Sequence, residues 1–220
     1  TQSFAGFGLV QTLQAFPGLW EMGKLQNAIS ASGYRLGSGL LIAIVIGVPI
    51  GIVMGRSKRF RHLSNSSFQF LRMISPLSWM PIAVFVFTAW DNSIIFLIAI
   101  ASVWSVMFST AAGLAQVPAA PVEAAAAMGM TPRQVFWQVR VALALPLLVA
   151  GLRVCTVQAI GLAVLAALIG AGGLGALVFQ GLFGTAMDLV LLGVLPVVAL
   201  ALVADAALRL VAAGLAPIAP

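Results

Sequence analysis

Side chains able to do chemistry are few in this sequence. The 220 residues hold eleven lysines and arginines, five acids, one histidine and one cysteine. Cys155, standing alone, forms neither an intrachain disulfide nor a thiolate metal cage. His62 lies among basic residues, which disfavours a metal there. No pair of carboxylates, and no nucleophile with a base, falls at a spacing that supports catalysis. GAGGLG (170–175) fits the G-x-G-x-x-G dinucleotide pattern in letters only. That pattern needs a strand before it, a helix after it and an acid about 20 residues on. Here an apolar run precedes it, and Asp188 and Asp205 are wrongly spaced, so a closely packed or flexible connection is the better reading. No phosphate-binding lysine motif occurs, so this chain does not itself hydrolyse ATP. Three constellations remain. EAAAAMGMTP (123–132) carries a single acid at its head, SPLSWMP (75–81) sets two prolines beside serines and Trp79, and Arg153 is a cation inside an uncharged run.

The elements that must position these residues are membrane helices. Apolar residues make up 62% of the chain and charged ones 7%, too little charge to cover a soluble surface. The net charge of +6 raises nucleic acid as a partner, but the cations flank apolar runs and form no aromatic-interleaved patch, so none is expected. A helix needs about 20 apolar residues to cross a bilayer. The uncharged runs place spans near 36–55, 70–90, 94–114, 142–166 and 188–209. The expected fold class is all-α, a polytopic membrane protein with about five transmembrane helices. Residues 17–34 are mixed in polarity and read as an interfacial helix within an N-terminal segment, 1–35, outside the bilayer core. The glycine-rich stretch 167–187 reads as a short helix and loop. The chain begins at Thr1, nothing in it reads as a signal peptide, and a further N-terminal span is left open.

Sidedness follows from the cations. Arg56, Lys58, Arg59 and Arg61 follow the first span, Arg133 and Arg140 follow the third, and Arg209 closes the fifth. The opposite side keeps Lys24 and Arg35 beside Asp91 and Asp188. The excess of positive charge on cytoplasmic loops then puts 56–62 and 115–140 inside and the N-terminal segment outside. EAAAAMGMTP therefore faces the cytoplasm. Its alanines favour helix, Thr131-Pro132 supplies an N-cap followed by proline at the first helical position, and Gly129 permits a sharp turn. The expected geometry is two short helices, 121–129 and 132–140, whose small residues let another protein's surface come close.

This stretch resembles the cytoplasmic signature loop of permease subunits of type I ABC importers: Glu123, Ala124, Ala125, then Gly129 and later Pro146. A second proline usual in the family is replaced by Ala142, which bears on the bend at the foot of the fourth span. The resemblance covers roughly 20–212 and identifies 36–212 as the importer's transmembrane domain, with 115–140 as its coupling loop. It implies that Glu123, Ala124, Ala125, Gly129, Thr131 and Pro132 couple the chain to a cytoplasmic ABC ATPase. It further implies a second permease subunit, identical in a homodimer, an extracytoplasmic solute-binding protein, and a place in the bacterial inner membrane. No cofactor is expected on this chain; ATP and Mg belong to the ATPase. SPLSWMP and the segment 93–118 are similar to nitrate, sulfonate and taurine permeases. IGAGGLGALVFQGL (169–182) is instead similar to methionine and glycine betaine or choline permeases. The longer match favours a small anion.

Ser75, Ser78 and Trp79 lie beside Pro76 and Pro81, whose freed carbonyls suit a helix next to a water-accessible pathway; Trp104, mid-span, joins them as a pathway candidate. Packing alone would also account for these four residues. Gly47, Gly51 and Gly55 repeat every fourth residue and read as a packing face within the subunit. Arg153 serves either the pathway of an anion or a structural pair with Asp205, and the structural reading is preferred. An ion-gradient-driven secondary transporter is the runner-up from a different class, though it would need a relay of ionisable groups inside the membrane. Sidedness is directly testable. A cysteine at Ser57 should react with membrane-impermeant thiol reagents only in inside-out vesicles, and one at Asn92 in intact spheroplasts; the opposite labelling refutes the orientation.

Overall fold

The computed structural model describes residues 23–165, 172–183 and 187–215. The sequence expectations for 1–22 and for Gly170 and Ala171 of the glycine motif lie outside them. The described residues are almost entirely helical: α1 (Lys24–Arg56), α2 (Lys58–Met73), a 3-10 turn (Pro76–Trp79), α3 (Met80–Val86), α4 (Trp90–Ala115), α5 (Ala119–Ala127), α6 (Pro132–Leu165), α7 (Leu174–Phe183) and α8 (Met187–Leu215). Among them, α1, α4, α6 and most of α8 are long and apolar enough to cross a membrane, and α7 is too short.

The second span is not the straight helix expected over 70–90. Ser66–Met73 and Pro76–Val86 meet at 84°. Proline disfavours the α region for the residue before it, and Ser75 is accordingly extended at φ −58°, ψ 132°. The helix resumes at Pro76, where the missing N–H costs nothing in a first turn. This bent pair still has to cross. α1 and α4 run parallel, Gly39 lying against Ile98 and Gly55 against Leu114, so the chain between Arg56 and Trp90 returns the length of the bundle. Ser93 Oγ donates to Ala83 O at 3.1 Å and holds α3 to the start of α4.

The first span also begins earlier than expected. α1 runs unbroken from Lys24, with no interfacial helix set apart from it in the described residues. Two of the polar residues in 24–35 are satisfied inside the protein. Ser32 and Arg35 are 4% and 6% exposed. Ser32 Oγ accepts from Leu174 N at 3.1 Å. Arg35 Nε donates to Asp91 Oδ1 at 2.7 Å, and a second guanidinium nitrogen donates to Gly172 O at 3.0 Å.

α4 is the central helix. One face meets α1 along Gly39, Ala43, Gly47, Gly51 and Gly55, the three-glycine repeat seen in the sequence extended by two steps. A Cβ on Gly51 would stand 2.6 Å from Met107 O. The other face meets α6, which runs antiparallel to it: Gly113 lies on Ala144, and Gly151 on Ser109. Backbones approach closely because lipid offers no hydrophobic drive between helices and only packing is gained. Gly51→Val should therefore overpack the seam at a cost of about 1–3 kcal/mol, while Gly161→Ala, with nothing within 4 Å of its Cβ, should be neutral. Thermal midpoints of the two purified variants check this, and equal midpoints refute the seam's role.

Candidate functional site

α5 carries the quoted acid. Its entry is set by Pro118 in an extended conformation, and its exit by Gly129 at φ +84°, a left-handed backbone that only glycine adopts without strain. Glu123, Ala124 and Gly129 are exposed, whereas Ala125 is buried at 3% exposure and anchors the helix. Thr131 and Pro132 are exposed and begin α6. Thr131 Oγ1 accepts from Gln134 N, and Gln134 Oε1 accepts from Thr131 N at 2.8 Å, a reciprocal capping box.

The second short helix expected over 132–140 is not separate. It continues into the fourth span through a π-helical stretch, Val135–Arg140, where Val141 N–H reaches Phe136 O. The helix then runs through Pro146. A wider turn absorbs one extra residue without ending a helix, so the exposed cap at Thr131 and the membrane part of α6 form one continuous rod.

Pathway candidates from the sequence meet at a second place. A cavity of about 410 Å³ is lined by Ser75 and Trp79 from the bent pair, Trp104 and Ser105 from α4, and Gln158 from α6. Ser78 is not part of its wall. Ser105 Oγ lies 3.3 Å from Gln158 Oε1, and Trp104 packs on Phe68 with ring centroids 5.9 Å apart. Among the described residues, Arg72 is the one cation of the wall, its guanidinium 5.6 Å from the Phe108 centroid, and no acid lines it. Sequence reasoning missed Arg72, Ser105 and Gln158. Arg72, the last cation before SPLSWMP, and Gln158, an amide in an apolar run, were the available signals.

Arg153 and Asp205 come together: Arg153 Nε donates to Asp205 Oδ1 at 2.5 Å, and Arg209 Nε to Asp205 Oδ2 at 2.7 Å. Neither residue lines the cavity. The Arg35–Asp91 pair, read from sequence only as sidedness, is the more buried at its cation and holds the turn at Gly172 and Gly173. Gly173, at φ +93°, lets that turn close onto Ser32 and Arg35. The described part of the glycine motif is thus a packing device. Among the described residues, no three or more His, Cys, Asp or Glu side chains cluster in a way that would hold a metal.

The family described as "Binding-protein-dependent transport system inner membrane component" matches residues 47–217. The bicarbonate transport system permease protein CmpB of Synechococcus elongatus is 38% identical over 136 residues, covering 62% of this chain and 48% of that protein. The chain thus spans about half the length of that relative, and 55% of the Synechocystis one. The glycine betaine/carnitine/choline permease protein OpuCD of Bacillus subtilis is 30% identical over 181 residues, covering 82% of this chain and 79% of that protein. The osmoprotectant import permease OsmY of Salmonella typhimurium is 32% identical, covering 76% and 72%. In shape, the chain matches a structure of the inward-facing MetNI methionine ABC transporter with a TM-score of 0.71 at 20% identity, covering 89% of this chain and 98% of that one. That likeness is one of fold.

Proposed function

This chain belongs to the family of binding-protein-dependent transport system inner membrane components, and on that premise we propose that it is the permease subunit of an ATP-driven importer of the bacterial inner membrane. The observation that carries this reading is α5, a helix of small residues bounded by Pro118 and Gly129, with Glu123 and Ala124 exposed. A cytoplasmic ATPase seats on α5, and a second copy of the permease completes the pathway. The solute-binding protein delivers from the end marked by Arg35 and Asp91. ATP and its Mg stay on the ATPase.

Closure of the ATPases moves α5 and the capped start of α6 together. α6 is continuous from Pro132 to Leu165 and carries Gln158 on the cavity wall. At about 1.5 Å per residue such a rod transmits a displacement along its whole length. An ion-gradient mechanism finds less support, because Arg35 and Arg153 already hold carboxylates.

The carried solute is a small anion. Arg72 faces a cavity with no acid among the described residues of its wall, which favours a carboxylate, bicarbonate or sulfonate over a cation. Trp79 and Trp104 line the same cavity and support a second reading, a quaternary amine held over indole faces.

Two experiments test these assignments. In the assembled complex, Gly129→Asp and Glu123→Lys should leave the protein in the membrane and abolish solute-stimulated ATPase activity. Unchanged stimulation with Gly129→Asp removes α5 from coupling. Arg72→Gln should lower uptake of a bicarbonate- or sulfonate-sized anion about tenfold or more, the worth of a charge-assisted hydrogen bond. Indifference to Arg72→Gln, with Trp104→Ala abolishing quaternary-amine uptake, selects the second reading.

A further inference from the structure

At the end of the bundle where α1 finishes and α6 begins lies a separate cavity of about 350 Å³. Arg56 and Arg140 line it, together with Val122 and Ala126 of α5 and with Met130 and Phe136. Among the described residues, its wall holds two guanidinium groups and no acid. The ion pairs formed among the described residues use Arg35, Arg153 and Arg209, so neither Arg56 nor Arg140 has a carboxylate there. The Arg56 guanidinium lies 5.2 Å from the Phe136 ring centroid, and Phe136 in turn meets Trp137 edge-on at 5.3 Å. The Phe136 ring holds the Arg56 guanidinium beside the cavity by a cation–π contact, which uses the ring face and none of its N–H donors.

Depth decides which acceptor is at hand. Arg56 follows an uncharged run, 36–55, and Arg140 precedes one, 141–152. Both cations therefore stand where apolar spans leave the bilayer core, at the level of lipid headgroups. The abundant anion in that layer is a phosphodiester, whose oxygens match the two-pronged donor geometry of arginine. Met130, Val122 and Phe136 offer an apolar wall to the glycerol ester and first methylenes. The face of α5 that closes the cavity is also distinct from the face offered to a protein. Val122 and Ala126 stand one turn apart, whereas Glu123, Ala124 and Ala127 point round the helix from them at about 100° per residue.

We propose that this cavity binds the headgroup of an anionic phospholipid, with Arg56 and Arg140 as phosphate ligands. The bound lipid then ties α5 to the ends of α1 and α6. The site goes beyond the permease reading and does not depend on which solute is carried.

Native mass spectrometry of the full-length complex, exchanged into equal phosphatidylglycerol and phosphatidylcholine, tests the assignment. The unaltered protein should retain phosphatidylglycerol over phosphatidylcholine about tenfold, a difference typical of one charge-assisted contact. Arg56→Gln with Arg140→Gln should abolish that preference, and Arg56→Lys with Arg140→Lys should keep part of it. Equal retention by the glutamine variant overturns the site. Displacement of the lipid by millimolar inorganic phosphate also overturns it in favour of a free anion. Loss of the ATPase subunit from the glutamine variant in every lipid, with phosphatidylglycerol still bound, reassigns the arginines to a protein contact. A comparison without substitutions guards against failed assembly. The unaltered complex should melt higher in nanodiscs containing phosphatidylglycerol than in phosphatidylcholine alone, and indifference to lipid charge counts against the proposal.

Discussion

The close approach of α1 and α4 is the contact on which the rest of the molecule depends. Gly39, Ala43, Gly47, Gly51 and Gly55 bring one backbone against the other along most of the bundle's length. Helices in lipid gain little from burying apolar groups, so cohesion must come from contact area, and small residues supply it. With α1 fixed on one face and α6 on another through Gly113 and Gly151, α4 has a single possible placement. Its remaining strip, Ile100, Ala101 and Trp104, then fronts the cavity. The Ser75–Pro76 bend of the second span forms part of that cavity's wall.

Charge is used sparingly. Arg35 is almost wholly buried and reaches Asp91 on α4 and the carbonyl of Gly172. A buried cation is tolerable only when its donors are met, and removing one partner leaves the other stranded. This cluster therefore locks α1, α4 and the turn before α7 into one arrangement. The Arg153–Asp205–Arg209 group is more exposed and joins α6 to α8. Exposed pairs of this kind contribute less. The end with Arg35 is thus the stiffer one, and the end with α5 is held by caps, one buried alanine and the Arg56–Phe136 stack. Under the proposed coupling at α5, that asymmetry lets the driven end move while the far end keeps its packing.

The sequence by itself determined much of this. Composition and the lengths of the uncharged runs set an all-α membrane protein, because a bilayer leaves a spanning chain no other way to satisfy its backbone short of a closed barrel. Glu123-Ala-Ala with Gly129 and Thr131-Pro132 announced a capped turn, because left-handed backbone and N-caps are chosen by local chemistry. Tertiary structure alone decided matters of distance. The helix α1 extends back to Lys24 because Ser32 and Arg35 find partners 56 and more positions away, at Asp91, Gly172 and Leu174. Their polarity looked like exposure until those partners were placed. Arg72, Ser105 and Gln158 gather around one cavity from three separate helices, and no local periodicity encodes that meeting. A span's hydropathy records that its residues leave water. Which neighbour each side chain leaves water for is settled only when the helices pack.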